Sequence, residues 1–286
     1  MSLPIDGIFS ALTEQLSSQT RVILQAPPGA GKSTRLPILL LETANYSPQN
    51  QIYILEPRRV AARQIAQYLA QQLGEKVGQT IGLKMRGENK TSANTILTIV
   101  TDGVMVRQIQ SDPELSDIGL VIFDEFHERS LEADLALAMA RRVREEARED
   151  LRLIATSATL QAEPIAAFLG GAGGPAPIVT SEGRLFPVEV DFVPPERGAP
   201  GSRDGREALG SQVQRAVRQA LERSEGDVLV FLAGVGEIRR CGQALGSIKG
   251  VDVVELYGDL PPEKQDAALR EGPRRRGGAG REGLWG

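Results

Sequence analysis

The stretch that decides the fold runs from residue 21 to residue 34 and spells RVILQAPPGAGKST. Its first part, RVILQA, is typical of a buried strand, and a Pro/Gly loop and a helix beginning near Ser33 follow it. The loop matches the pattern GxxxxGKS/T, except that Ala26 replaces the first glycine. Small residues let backbone N–H groups turn inward around phosphate oxygens, and the helix points its positive end at the anion. The stretch therefore predicts a phosphate-binding loop at a strand-to-helix junction.

This loop supplies the first group of candidate site residues. We expect Lys32 to reach the β- and γ-phosphates of ATP as a catalytic residue, and Ser33 to coordinate Mg²⁺. The predicted ATP-binding residues form the whole loop: Ala26, Pro27, Pro28, Gly29, Ala30, Gly31, Lys32, Ser33 and Thr34. The alternative is a flexible Gly/Pro turn that binds nothing, which the apolar strand directly before the loop disfavours.

A second group of candidate residues follows the apolar run Leu120–Phe123. A buried strand that runs into two carboxylates puts Asp124 and Glu125 at the carboxyl edge of the sheet, where open α/β sheets bind ligands. We expect Asp124 to hold Mg²⁺ through its hydration shell, and Glu125 to orient and polarise the attacking water. Two acids at a strand end often form a solvated helix cap instead. Their combination with the loop at 26–34 favours the catalytic interpretation.

Composition narrows the class of protein. The chain has 286 residues, a formal net charge of -4 at pH 7, one cysteine and one histidine. These counts exclude a strongly basic nucleic-acid coat, an internal disulfide, a cysteine-rich zinc site and any scheme that needs two histidines. No apolar run approaches the roughly 20 residues of a membrane span, and the N-terminus lacks the features of a signal peptide. We therefore expect a cytoplasmic protein without membrane or disulfide partners.

Strands alternate with helices along the sequence, which predicts parallel α/β sheets covered by helices on both faces. A glycine-rich segment at 170–177 and a segment rich in Pro, Gly and charge at 194–206 interrupt this pattern. We place a first domain at 1–180, a second at 181–270 and an Arg/Gly-rich tail without regular structure at 271–286.

Four further segments carry the resemblance to a known family. They are EPRRVAA at 56–62, TDGVMVR at 101–107, DEFH at 124–127 and SAT at 157–159. Together with the phosphate-binding loop, and in this order, they resemble the motifs of DEAH-box superfamily 2 helicases, above all the bacterial HrpB-type ATP-dependent RNA helicases. The resemblance implies tandem RecA-like P-loop domains with parallel sheets. It also implies ATP and Mg²⁺ as cofactors, and single-stranded RNA, or DNA in second place, as the partner.

The resemblance also implies roles for individual residues. The nucleic-acid-binding residues would grip the sugar-phosphate backbone without reading bases: Arg58, Arg59, Thr101, Asp102 and Gly103. A surface arginine pair and a tight Asp-Gly turn are the alternatives for these two segments. The coupling residues would link the nucleotide state to the second domain: His127, Ser157, Ala158 and Thr159.

The resemblance weakens in the second domain. Residues 229–238 and 256–265 resemble family motifs, but the apolar strand and Thr-Asn element that should follow are missing in proper form. The arginine-finger motif QRxGRxGR is missing in proper form as well. We therefore expect an incomplete second domain, through truncation or a shift of the coding frame. Arginine fingers contribute about 10³–10⁵ in rate, so we expect Mg·ATP binding, weak RNA binding and little or no unwinding.

The sequence as a whole predicts a nucleic-acid-dependent ATPase of helicase type, which couples ATP hydrolysis to binding and translocation along single-stranded RNA. One alternative is an ATP-binding remnant or regulatory interaction protein without helicase activity. Another is a P-loop NTPase unrelated to nucleic acid, which the ordered motifs at 56–62, 101–107 and 157–159 disfavour.

Overall fold

The computed structural model of the protein describes residues 3–43, 45–158, 162–182, 188–194, 205–269 and 275–280. Contacts between Cα atoms divide the chain into two compact units, Met1–Phe186 and Pro187–Gly286. Both units are built from parallel strands that alternate with helices, as the sequence predicts. No helix within the described ranges is long and apolar enough to cross a bilayer.

The first unit contains an eight-stranded sheet in the order β4-β3-β5-β2-β6-β7-β1-β8, in which only the β3/β4 pair is antiparallel. Its strands are β1 Arg21–Gln25, β2 Gln51–Leu55, β3 Ile81–Met85, β4 Glu88–Lys90, β5 Leu97–Val100, β6 Ile118–Phe123, β7 Arg152–Ser157 and β8 Ile178–Thr180. Its helices are α1 Phe9–Ser18, α2 Arg35–Glu42, α3 Arg59–Gln72, α4 Asp102–Ser111, α5 Leu131–Glu146 and α6 Glu163–Gly170.

Two layers of buried apolar side chains, one on each face, pack this sheet against its helices. Successive side chains of a strand point to opposite faces, so Ile23 packs with α4, α5 and α6, while Val22 and Leu24 pack with α1, α2 and α3. All six residues of β6 are buried, which is typical of a parallel strand covered on both sides. The parallel strands β1, β2, β6 and β7 have their carboxyl ends at the same edge of this sheet.

The second unit contains a three-stranded parallel sheet in the order β10-β11-β9. Its strands are β9 Val228–Phe231, β10 Val251–Leu256 and β11 Arg275–Gly280, and its helices are α7 Gly205–Arg223, α8 Val235–Leu245 and α9 Pro262–Leu269. Among the described residues its buried cluster is small and includes Leu232, Ile238, Cys241 and Tyr257. The single cysteine is thus part of an apolar core.

The structure differs from one sequence expectation about this unit. The tail 271–286 was expected to lack regular structure, but residues 275–280 form β11, the central strand of the sheet. A central parallel strand is held by main-chain N–H and C=O groups on both sides, which require no particular side chain. Composition and periodicity cannot detect such a strand in the sequence RRGGAG. The other residues of the tail lie outside the described part of the chain.

Candidate functional site

The phosphate-binding loop connects the carboxyl end of β1 to α2. Gly29 has a φ of 76° and Gly31 a φ of 97°, and the left-handed region at these two positions favours glycine. Gly31 also lies in a tight place, because a Cβ there would come 3.0 Å from both Arg35 Cβ and Leu3 Cδ1. The helix begins at Arg35, two residues later than the sequence suggests, and the N–H groups of Arg35 and Leu36 both donate to the Gly31 carbonyl.

The two polar side chains of the loop reach into the site. The Lys32 ammonium donates to the carbonyl oxygens of Ala26, at 2.8 Å, and Pro27, at 3.3 Å, and its side chain is 4% exposed. The Ser33 hydroxyl donates to Asp124 Oδ2 at 2.5 Å. The loop and the end of β6, more than ninety residues apart in sequence, therefore meet at one point.

Asp124 is held firmly at the end of β6. Its N–H donates to the Leu55 carbonyl at 3.0 Å, and its Oδ1 accepts hydrogen bonds from the Thr156 hydroxyl at 2.6 Å and from the Glu125 N–H at 3.0 Å. Sequence reasoning missed Thr156, which lies on β7 directly before the predicted coupling segment. Its hydroxyl fixes the carboxylate that faces Ser33.

Glu125 follows in a left-handed backbone conformation, with φ 46° and ψ 36°. This turn brings its Oε1 to 3.8 Å from Lys32 Nζ and its Oε2 to 3.3 Å from His127 Nδ1. Burial raises the pKa of the Glu125 carboxyl, and the charge of Asp124 raises it further, while Lys32, His127 and Arg58 oppose this rise. A carboxyl with a raised pKa is suited to accept a proton from a water molecule near neutral pH.

The donor set fits a magnesium ion. Ser33 and Asp124 offer a hydroxyl and a carboxylate oxygen that already lie within hydrogen-bond distance of each other. Mg²⁺ prefers oxygen ligands, keeps several water molecules and is usually bound through one or two protein groups together with phosphate oxygens. Asp124 is 5% exposed and Lys32 6% exposed, so both charges lie at the base of the site and away from bulk water.

A cavity of about 570 Å³ opens beside the loop. It lies next to the first turn of α2 and is walled by both apolar and polar side chains: Leu3, Asp6, Thr34, Arg35, Ile38, Tyr68 and Gln72. The cavity is large enough for the nucleoside part of a nucleotide whose phosphates lie on residues 29–33.

The predicted nucleic-acid-binding residues lie at the start of two helices. Arg58 is the N-cap residue of α3 and forms an ion pair with Glu128, while the Arg59 guanidinium donates to the Arg86 carbonyl at 3.1 Å. Thr101 is the N-cap residue of α4, and Gly103 in its first turn has open space where a Cβ would stand.

Asp102 differs from these residues because its side chain points inward. It is 7% exposed and its Oδ2 accepts a hydrogen bond from the Ser130 hydroxyl at 2.8 Å. Burial raises the pKa of its carboxyl. The side chain of Asp102 therefore holds the start of α5, and an external phosphate would meet the main chain of this segment first.

The predicted coupling residues are partly described. Ser157 is fully buried at the end of β7, and the Ala158 N–H donates to His127 Nδ1 at 3.4 Å. Thr159 lies outside the described residues. The contact between Ala158 and His127 joins the end of β7 to the turn that carries Glu125, and it uses the only histidine of the chain.

Glu56, at the end of β2, is a second residue that sequence reasoning missed. It is 3% exposed, and its Oε1 accepts a hydrogen bond from the Arg58 N–H at 3.0 Å. Burial first, and then the charges of Asp124 and Glu125, raise the pKa of Glu56 to about 8. The sequence did offer a signal for this residue, because Glu56 directly follows an apolar run that ends at Leu55.

Comparisons with known proteins identify the family of this chain. The profile of the DEAD/DEAH box helicase family matches residues 9–168. The ATP-dependent RNA helicase HrpB of Escherichia coli (strain K12) is 44% identical over 275 residues, which are 96% of this chain and 32% of that protein. The ATP-dependent RNA helicase HrpA of Borreliella burgdorferi is 31% identical over 276 residues, again 32% of its length.

Solved structures give the same result. A crystal structure of the Escherichia coli DEAH/RHA helicase HrpB aligns with this chain with a TM-score of 0.82 and 43% identity. The alignment covers 98% of this chain and 34% of the HrpB chain. The chain thus spans about a third of the length of these relatives. The expected α/β class with RecA-like parallel sheets is confirmed. Since the family profile covers more than half of its residues, the chain belongs to the DEAD/DEAH box helicase family.

Proposed function

We propose that this chain binds Mg·ATP, hydrolyses it, and couples hydrolysis to binding and movement along single-stranded RNA. The observation that carries the proposal is the meeting of Lys32, Ser33, Asp124 and Glu125 at the carboxyl edge of one sheet. Two segments of the chain, 32–33 and 124–125, carry side chains suited to phosphate and water chemistry and meet there within hydrogen-bond or ion-pair distance.

The residues divide the work of phosphoryl transfer to water. Lys32 would exchange its carbonyl partners for the β- and γ-phosphate oxygens, and Ser33 and Asp124 would hold Mg²⁺, which supplies positive charge for the phosphates when bound. Glu125 would orient a water molecule in line with the γ-phosphorus and accept its proton. The nucleoside would lie in the cavity beside Thr34 and Tyr68.

The RNA part of the proposal rests on the starts of α3 and α4. Arg58, Arg59 and the main-chain N–H groups of 101–103 can contact phosphates without reading bases. The N-termini of the two helices add partial positive charge at the same edge. HrpB and HrpA are named ATP-dependent RNA helicases, which favours RNA over DNA as the strand.

An ATP-binding protein without motor activity is the second candidate, and one observation favours it. Residues 275–286 hold no QRxGRxGR motif, and arginine fingers contribute about 10³–10⁵ in rate. We therefore propose slow hydrolysis and little unwinding for this chain by itself. RNA-stimulated turnover equal to that of full-length HrpB would contradict this part of the proposal.

Binding of a fluorescent ATP analogue and of labelled single-stranded RNA, each measured with the full chain, tests the proposal. Lys32→Ala should abolish nucleotide binding, because it removes the buried cation that faces the phosphates. Lys76→Ala removes an exposed lysine of the same unit and is the matched control. A chain that binds nucleotide but no RNA, with or without the nucleotide, would leave only the second candidate.

The role of Glu125 has its own test. Glu125→Gln should keep nucleotide binding and stop hydrolysis, since the amide cannot accept the proton of the water. Single-turnover measurements with radiolabelled ATP detect even slow hydrolysis by the wild type. Hydrolysis at the wild-type rate in this variant would disprove the assigned base.

A further inference from the structure

The turn that joins β6 to α5, residues 125–130, is called the motif turn here. It holds two non-glycine residues in the left-handed region, Glu125 with φ 46° and Arg129 with φ 52°. L-residues avoid this region because Cβ comes too close to the following carbonyl oxygen. Backbone of this kind persists only where surrounding contacts hold it, so the contacts of the motif turn determine its shape.

The inner end of the motif turn lies in the nucleotide site. Glu125 faces Lys32 and His127, and the Glu128 N–H donates to the Glu125 carbonyl at 2.9 Å. That hydrogen bond closes a single 3-10 turn over Phe126–Glu128. Because the turn is so short, a displacement of Glu128 acts directly on the main chain of Glu125.

The outer end of the motif turn is tied to both predicted RNA-binding elements. Glu128 forms its ion pair with Arg58 at the start of α3. The Ser130 hydroxyl donates to Asp102 at the start of α4, and it also accepts the Ala133 N–H at 2.9 Å as the N-cap of α5. The same six residues therefore contact the nucleotide site at one end and the proposed RNA surface at the other.

The ion pair between Arg58 and Glu128 is the contact that RNA can change. The side chain of Arg58 is 21% exposed and that of Glu128 is 30% exposed, so a phosphate can approach the pair from solvent. Carboxylate and phosphate oxygens bind a guanidinium in the same planar, two-pronged geometry and repel each other. The Arg58 N–H is held by the buried Glu56, so the side chain can change partner while the main chain stays in place.

We propose that Glu128 is a positioning residue that competes with an RNA phosphate for Arg58 and thereby transmits RNA binding through the motif turn to Glu125. The inference rests on the proposed function and deepens it. When a phosphate takes Arg58, Glu128 loses its outer partner, and Glu125 can leave Lys32 for the attacking water. Because such coupling is reciprocal, nucleotide binding must change RNA affinity by the same factor.

The test measures the dissociation constant of a short fluorescent oligouridylate with and without saturating Mg·AMP-PNP, using the full chain. The ratio of the two constants is the coupling ratio. Glu128→Gln keeps the shape of the side chain and removes the charge that competes for Arg58. Glu146→Gln, which removes the same charge from an exposed ion pair with Arg142 on α5, is the matched control.

We expect Glu128→Gln to tighten RNA binding without nucleotide by about threefold, the range of a partly exposed ion pair. Its coupling ratio should approach 1, and its affinity for the nucleotide without RNA should approach that of the RNA-bound wild type. In an Arg58→Ala background, Glu128→Gln should change neither constant, since its partner is gone. Arg58→Gln opens the same pair from the other side, so it should also bring the ratio to 1 while weakening RNA binding.

The outcomes separate the inference from the function on which it rests. A Glu128→Gln protein that binds both ligands with the wild-type coupling ratio overturns the inference alone. A wild type that binds both ligands without any coupling does the same. A wild type that binds nucleotide but no RNA overturns the proposed function, and the inference with it. Loss of coupling in Glu146→Gln as well would show that net charge, and not Glu128, is responsible.

Discussion

Three carboxylates crowd the carboxyl ends of β2 and β6: Glu56, Asp124 and Glu125. Burial is the first cause of the raised pKa values of Glu56 and Glu125, and the charge of Asp124 raises both further. Such a concentration of negative charge suits the proposed Mg²⁺ site, and it destabilises the folded protein when no cation is bound. The free-energy cost of burying these negative charges should therefore appear as a change of protein stability with pH.

Glu56 gives the clearest pH dependence. Its pKa of about 8 lies above the ordinary value, so between pH 4.5 and 8 the folded protein keeps a proton that the unfolded chain loses. The associated stability is fully present below the ordinary pKa and is lost as pH rises to about 8. Glu56→Gln removes this loss. We expect its melting temperature to match the wild type near pH 5 and to exceed it by a few degrees near pH 9.

Differential scanning fluorimetry across that pH range is sufficient to test this. Glu14→Gln, at an exposed position on α1, controls for the change of net charge and should follow the wild type at every pH. An equal effect of Glu56→Gln at both ends of the range would contradict the raised pKa.

Thr156 allows a test of how Asp124 is held. Thr156→Val keeps the shape of the side chain but removes the hydrogen bond to Asp124 Oδ1, so the carboxylate loses its fixed orientation toward Ser33. We expect the Mg²⁺ concentration needed for nucleotide binding to rise by about tenfold, as is typical when a group that orients a metal ligand is lost. A titration of Mg²⁺ at constant ATP analogue measures it.

Thr98→Val is the matched control for this change. Thr98 is also a fully buried threonine of the same sheet, and its hydroxyl has no hydrogen-bond partner among the described residues. Its replacement should leave the Mg²⁺ requirement unchanged and cost no stability. Should both variants shift the requirement equally, the effect would come from the core and not from Asp124.

At the scale of the element, the junction of β1, loop and α2 depends on glycine at one position. Gly31→Ala would place a Cβ at φ 97° and 3.0 Å from Arg35 Cβ. The strain costs about 1–2 kcal/mol for the backbone alone, and relief requires moving the first turn of α2. We therefore expect a lower melting temperature and a large loss of nucleotide affinity, measured by thermal unfolding with and without Mg·ATP.

Gly7→Ala serves as the control for Gly31→Ala, because nothing lies within 4 Å of the added Cβ and the backbone there is not left-handed. It should unfold and bind nucleotide like the wild type. If Gly31→Ala did the same, the loop would have more freedom than its contacts suggest.

The elements that sequence reasoning predicted well are those with a long apolar pattern. The strands at 21–25 and 118–123 are buried, as their apolar runs indicate. Lys32 and Asp124 follow β1 and β6 in the chain and lie at the carboxyl edge of the sheet, while their roles at an ATP site stay a prediction. Both follow from local pattern and from the rule that parallel strands bind ligands at their carboxyl ends.

The elements that sequence reasoning missed depend on partners far away in the chain. The strand at 275–280 exists because two neighbours pair with its main chain, and the inward turn of Asp102 exists because Ser130 meets it. Thr156 became visible only once β7 lay beside β6. Tertiary contacts of this kind leave no periodic trace in a single sequence.

On the scale of the whole molecule, the chain consists of two units with unequal cores. The first has two large apolar clusters, one on each face of its sheet, while the described residues of the second form one small cluster around Cys241 and Ile238. All proposed nucleotide contacts, from Ala26 to Asp124, lie within the first unit. Nucleotide should therefore stabilise one unit selectively.

Calorimetry of the full chain can show this selectivity. A ligand at about 100 times its dissociation constant stabilises the folded state by about 2.7 kcal/mol. For a unit of this size that corresponds to a rise of roughly 5–10 °C in its melting temperature. We expect the larger transition to rise by this amount with Mg·AMP-PNP and the smaller one to stay within a degree or so, because no proposed contact belongs to it. In Lys32→Ala, Mg·AMP-PNP should raise the melting temperature of neither transition. Equal shifts of both transitions in the wild type would instead mean that the second unit takes part in holding the nucleotide.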